Sequence, residues 1–175
     1  MDCIKVKIDK KCTSKDCLSS LASSVVCELA KNGITFSSAE SCTGGLVGGT
    51  ITEISGSSAV YFGGIITYTN DIKINVLGVD SALIDSYTEV SAPVARQMAE
   101  RVREKLSSDV GVSATGFAGP TGGNENDPVG TVYVGIATAD KTHVYRLSYG
   151  ADTKREDVRL MTVEFILKKL LSLVA

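Results

Sequence analysis

Ile34-Thr35-Phe36-Ser37-Ser38-Ala39-Glu40-Ser41-Cys42-Thr43-Gly44-Gly45 is the stretch around which the chain is organised. Apolar residues Ile34 and Phe36 lead into it, and a glycine-rich helical pattern leads out through Leu46, Val47, Ile51 and Ile54. That order reads as strand, tight turn, helix. Small hydroxyl and glycine residues crowd the turn, where a backbone bends sharply and exposes its N–H groups. The free N–H groups of a helix start, with the helix dipole behind them, would face whatever lies above the turn. A serine at that place, Ser41, is either a cap or a nucleophile.

Working outward, Leu18, Leu21, Val25, Val26, Leu29 and Ala30 share a helical face that stops at Asn32-Gly33. The helix after the turn carries Gly44, Gly45, Gly48 and Gly49. Each interior glycine costs about 1 kcal/mol relative to alanine, so close approach to a sheet, a ligand or another subunit is expected there. Val60–Thr69 is a second strand, with a bulge or bend at Gly63-Gly64. Asn70-Asp71 caps a short helix that holds Lys73 and ends at Gly78, and Ser91-Ala92-Pro93 opens an amphipathic helix through Val94, Met98, Val102 and Leu106. Asp109–Thr115 is a third strand, and Gly130–Thr138 and Thr142–Tyr149 form a hairpin. Thr153-x-x-Glu156 reads as a capping box before the last helix.

Alternation of helices and strands with one late hairpin gives an α/β fold. The expectation is a three-layer α/β/α sandwich on a mixed, mostly parallel five-stranded sheet with one antiparallel strand. Residues 1–175 read as one domain, with 1–14 a peripheral extension, either frayed or a short extra strand.

With 43% hydrophobic and 22% charged residues the composition is that of a globular protein, and a net charge of −2 without a basic tract argues against nucleic acid. No apolar run is long enough to span a membrane, and the N-terminus lacks the apolar core of a secretory signal, so a cytoplasmic location is expected. Five cysteines without a close C-x-x-C pair read as free thiols, two or three of them buried. A single histidine, His143, leaves little room for a histidine metal site.

Ligands of such sheets bind beyond the carboxyl ends of the parallel strands. Three loops rich in hydroxyls and glycines should meet there: Glu40–Gly45, Thr67–Lys73 and Gly116–Gly123. If Ser41 is a nucleophile it needs a base. His143 belongs to a hairpin turn expected at the opposite end of the sheet, whereas Lys73 stands near the right edge with Tyr68 beside it. Bringing a lysine from about 10.4 to about 7–8 requires roughly 3–4 kcal/mol of destabilisation of its charged form, which burial can supply. Tyr68 would relay the proton or orient the lysine, and the N–H groups of Thr43, Gly44 and Gly45 would hold an oxyanion. Plainer uses stand beside these: Ser41 or Thr43 as a helix cap, Lys73 as a surface charge, Tyr68 as a packed strand residue, Cys42 as a buried thiol. Gly119–Gly123 is a turn or an anion cradle.

Three motifs carry a resemblance: SAESCTGG (38–45), YTNDIKINVLGV (68–79) and TGFAGPTGGNENDPVGTVYVGIA (115–137). Together they resemble the C-terminal domain of the CinA family of competence- and damage-inducible proteins, whose standalone form is a nicotinamide-nucleotide amidohydrolase. The resemblance implies hydrolysis of nicotinamide mononucleotide to nicotinic acid mononucleotide and ammonia, in NAD recycling, without metal or organic cofactor. It implies Ser41 and Lys73 as the catalytic pair with Tyr68 beside them; Thr69 stands where the family motif has serine. Glu40, Gly119, Thr121, Gly122 and Arg155 are the residues expected to bind substrate, the last four as the phosphate site. Larger family members carry a further N-terminal molybdopterin-binding-like domain, whose activity is expected to be absent here. The expected partner is a small pyridine mononucleotide, with no nucleic acid and no membrane, in a homo-oligomer. Alternatives are a catalytically silent nucleotide-binding module of the same fold and a competence-related interaction protein.

Overall fold

The strand that enters the serine turn lies inside the sheet in the computed structural model, which describes residues 3–7 and 15–174. In chain order the elements are β1 (Cys3–Lys7), α1 (Lys15–Asn32), β2 (Phe36–Glu40), α2 (Leu46–Thr52) and β3 (Tyr61–Ile66). A π-helical turn (Ile72–Leu77), α3 (Ser81–Tyr87), α4 (Ala92–Lys105), β4 (Val110–Gly116), β5 (Thr131–Ala137), β6 (Thr142–Ser148) and α5 (Arg155–Leu171) follow.

The sheet has six strands in the order β1-β6-β5-β4-β2-β3. β2 is parallel to β3 and β4, β5 is antiparallel to β4 and β6, and β1 is parallel to β6. Only β5 runs against the others, as expected, but five strands become six. Cys3–Lys7, read as part of a peripheral extension, pairs along β6 from Cys3 opposite Val144 to Lys7 opposite Ser148. Lysines interrupt its apolar residues, so its pattern is weak; the open edge of β6 supplies the hydrogen bonds that hold it.

Helices cover both faces. α1, α2 and α5 bury Val25, Leu29, Val47, Ile51, Ile166 and Leu167 against Phe36, Val112 and Val134 of the sheet. On the other face, Val94, Met98 and Val102 of α4 pack with Leu77 and Ile84 against Ala39. Ser37 and Ser113 point at α4 and donate to the carbonyls of Val102 and Ala95, at 3.2 and 2.6 Å. A Cβ at Gly111 or Gly135 would strike the carbonyls of Ala99 and Ala95, so glycine there is what lets α4 lie close on the sheet.

Local expectations fared unevenly. The bulge on β3 is present: the register steps from Phe36 opposite Tyr61 to Ser37 opposite Gly63, leaving Phe62 unmatched. Gly44 and Gly45 precede α2 at φ 60° and 94° rather than lying inside it. Gly48 does lie inside, where a Cβ would come within 2.6 Å of the Tyr61 hydroxyl, so close helix-to-sheet packing accounts for it. The capping box at Thr153 is absent, because Thr153 Oγ1 donates to the Tyr149 carbonyl at 2.6 Å and α5 starts without a side-chain cap. Cys3, Cys27 and Cys42 are free and only Cys42 is buried, whereas Cys17 is disulfide-bonded, which corrects the reading of free thiols throughout. Among the described residues no helix is long and apolar enough to cross a membrane.

Candidate active site

Ser41 follows directly from the last residue of β2, and its N–H donates to the Ala114 carbonyl of β4 at 2.9 Å. The nucleophile candidate is thus fixed to the strand on one side. On the other side, the N–H of Thr67 donates to the Glu40 carbonyl at 2.7 Å and carries the sheet pairing just past the end of β3. Five residues later the chain enters the π-helical turn, a wide helical turn found often at functional sites. That turn directs Lys73 back under the sheet edge, where the side chain is 1% exposed.

The Lys73 amine lies 3.3 Å from Ser41 Oγ and donates to the Thr67 carbonyl at 2.8 Å. Burial holds its pKa below the usual lysine range, while the charge of Glu89 works in the opposite direction. Hydrogen-bond capacity favours the neutral form as well. An ammonium has three donors, and among the described residues two acceptors meet it here. A neutral amine can keep its bond to Thr67 and turn its lone pair to Ser41.

Glu40 does not face a ligand. Its carboxylate, 1% exposed, accepts from the N–H groups of Gly45, Val47 and Gly48 at 2.9, 3.1 and 3.0 Å, and from Ser38 Oγ at 3.1 Å. Glu40 therefore caps the start of α2 from within the protein, which corrects its expected role in substrate binding. The same bonds correct the oxyanion assignment. The N–H of Gly45 is taken by Glu40, and that of Gly44 by the Ser41 carbonyl at 3.1 Å. Among the described residues no acceptor meets the N–H of Thr43, so of the three expected donors only Thr43 remains uncommitted.

The cavity above Ser41, about 290 Å³, is lined by residues of all three expected loops: Ser41 and Cys42, Tyr68 and Lys73, and Phe117 with Thr121. Glu89, Val90 and Arg155 line it as well. Arg155 Nη1 donates to the Gly119 carbonyl at 2.8 Å and Nη2 to the Tyr68 hydroxyl at 3.4 Å. Tyr68 is 61% exposed, and no hydrogen bond joins it to Ser41 or Lys73, so the Thr67 carbonyl orients the lysine in place of the tyrosine. Within the glycine loop Thr121 reaches the cavity; Gly119 offers only a carbonyl already bonded to Arg155, and Gly122 backs onto the Phe117 ring.

Two other nucleophile schemes lose their footing. Cys42 is buried, and burial pushes its thiol up to about 12, so it has no thiolate to offer near neutral pH. His143 sits opposite Ile136 in β6, at the end of the sheet where Gly111 of β4 lies, and Ser41 is at the other. Among the described residues no three His, Cys, Asp or Glu side chains converge as metal ligands would. A second cavity of about 270 Å³ lies on the helical side of Gly44 and Gly45, between α1, α2 and α5, and among the described residues Glu53 is its only charged lining residue.

Glu89 was missed by the sequence reading. It sits in a short loop between α3 and α4, where no periodicity singles out a residue. Its only signal was a lone acid shortly before Pro93.

Comparison with known proteins places this geometry in a lineage. The chain is similar to a CinA-like protein of Salinibacter ruber, 53% identical over 118 residues, covering 67% of this chain and 29% of that one. It spans about a third of the length of the curated relatives it matches. Among solved structures, the competence/damage inducible protein CihA of Agrobacterium tumefaciens superposes with a TM-score of 0.85 at 38% identity, over 89% of this chain and 94% of that one. A CinA superfamily protein of Escherichia coli gives 0.86 at 28% identity, over 94% of both chains. The sequence model of the CinA C-terminal domain matches residues 18–174. The chain belongs to the CinA C-terminal domain family.

Proposed function

We propose that this protein is an amidohydrolase that cleaves the carboxamide of nicotinamide mononucleotide. The observation that carries the reading is the buried Lys73 amine 3.3 Å from Ser41 Oγ, at the rim of a cavity that Arg155 and Thr121 also line.

Ser41 Oγ attacks the carboxamide carbon while the neutral Lys73 amine takes its proton. The tetrahedral oxyanion falls to the uncommitted N–H group of Thr43, two residues after the nucleophile. Collapse breaks the C–N bond; the Lys73 ammonium returns the proton to the leaving nitrogen, and ammonia departs. Water, deprotonated by the same amine, then attacks the ester, and nicotinic acid mononucleotide leaves as Ser41 recovers its hydrogen. No step calls for a cofactor. Arg155, which lines the cavity, is the cation we assign to the substrate phosphate. The chain acts on a small pyridine mononucleotide, as a single domain and a homo-oligomer in the cytoplasm; nothing in the reaction requires nucleic acid or a membrane.

The test is to incubate the purified protein with nicotinamide mononucleotide and measure ammonia and nicotinic acid mononucleotide in equal amounts. Absence of ammonia above the Ser41→Ala background would sink the reading. A pH profile checks the base. Because Lys73 acts as the free amine, kcat/KM should rise with pH through the Lys73 pKa and then level off, and that limb should lie below the ordinary lysine value of about 10.4. A limb that disappears in Lys73→Met identifies its owner.

A further inference from the structure

The cavity contains a carboxylate that this mechanism leaves unused. We propose that Glu89 reads the charge of the substrate ring, so that the site selects aromatic carboxamides borne on a cationic, quaternary ring nitrogen over the same carboxamides on a neutral ring. The inference rests on the amidohydrolase reading and names the substrate class of that same site.

Glu89 lines the cavity together with Ser41 and Lys73, is half-buried, and forms no salt bridge with any described residue. Its position is held at a cost. The preceding residue, Thr88, has φ 68° and ψ 163°, a strained region that a β-branched residue rarely enters. Hydrogen bonds hold the turn in that shape: Ser91 Oγ donates to the Thr88 carbonyl at 2.9 Å, and Thr115 Oγ1 to the Glu89 carbonyl at 2.8 Å. The end of β4 thus fixes the residue whose side chain enters the cavity.

For the free enzyme this carboxylate is a handicap. Its negative charge favours the ammonium form of Lys73, the form that cannot serve as base. A cationic ring resolves the conflict in two ways. It gives Glu89 an ionic partner in a partly desolvated place, and its positive charge, added near Lys73, opposes the ammonium form. The base is then freed by the arrival of the substrate it acts on. Phe117, an aromatic residue against which a planar ring can pack, lines the same cavity, and Arg155 supplies a cation for the phosphate. A ligand positive at its ring and negative at its phosphate matches both charges of the cavity.

Nicotinamide mononucleotide and its 1,4-dihydro form share carboxamide, ribose and phosphate and differ in ring charge. Binding of each to Ser41→Ala, and to Ser41→Ala with Glu89→Gln, measures the effect without turnover. The cation should bind Ser41→Ala at least about tenfold tighter, in the range of a partly desolvated ion pair. Glu89→Gln should erase most of that preference by weakening the cation alone, and Glu89→Asp should restore part of it. An unchanged ratio in the Glu89→Gln protein, or equal weakening of both forms, would overturn the proposal; thermal melts show that each variant is folded. Ammonia release by the native protein with an unchanged ratio defeats the charge reading alone. A ratio that depends on Glu89 without any ammonia release defeats the hydrolase reading alone. Failure of Ser41→Ala to bind either form overturns both.

Discussion

Replacing Lys73 by methionine should lower kcat by about 10²–10⁴-fold, the usual contribution of a positioned acid–base group, while the protein melts at or above its native temperature. Methionine keeps an unbranched apolar stem of similar length in a place where the lysine is 1% exposed, and it removes an amine whose charged form burial disfavours. Ser41→Ala should cost at least as much activity, because it deletes the atom that would carry the acyl group. The double variant decides whether the two act as one device. Groups that work as a unit are non-additive, so Ser41→Ala combined with Lys73→Met should lose no more than about a few-fold beyond the worse single change. A Lys73→Met enzyme retaining most of its rate would remove the lysine from the chemistry; independent, multiplying losses would mean that Lys73 acts on something other than Ser41.

The second large effect belongs to Glu40. Glu40→Ala should destabilise the protein by about 2–4 kcal/mol, since one buried and two half-buried backbone donors lose their carboxylate acceptor at once and an unsatisfied buried donor costs about 1–3 kcal/mol. Urea unfolding would show it as a lower midpoint at unchanged slope. Glu40→Gln should recover part of the loss, because its amide oxygen still accepts while its NH₂ faces other donors. A Glu40→Ala protein as stable as the native one would mean that α2 keeps its start without this carboxylate.

The particular residues show what a sequence can announce. Ser41 and Lys73 were legible because strand–turn–helix patterning puts successive loops on one rim of a parallel sheet, and the chain has few other candidates for a base. The layers were legible from periodicity, which Val94, Met98 and Val102 carry onto one buried stripe. Glu40 was misread because an acid beside a serine looks the same whether it meets a ligand or a helix start; the two glycines after it were the clue that the chain folds back over its own carboxylate. Tyr68 was given an orienting role that a backbone carbonyl fills, and main-chain acceptors leave no mark in a sequence. Cys3–Lys7 and Glu89 gain their places from partners distant in the chain, β6 for one and Thr115 for the other. No local rule reports such contacts.

The hydrogen bond from Thr67 to Glu40 has a mechanical consequence. Ser41 hangs from one strand and the acceptor of the Lys73 amine continues the next, so the gap between the two groups is ruled by the spacing of a β-sheet, about 4.8 Å between neighbours. Thermal motion of the surrounding loops can open or close the entrance without stretching that ruler. Rigidity and adaptability are thereby housed in separate parts, the reacting pair on the sheet and the groups that greet the ligand on turns around it.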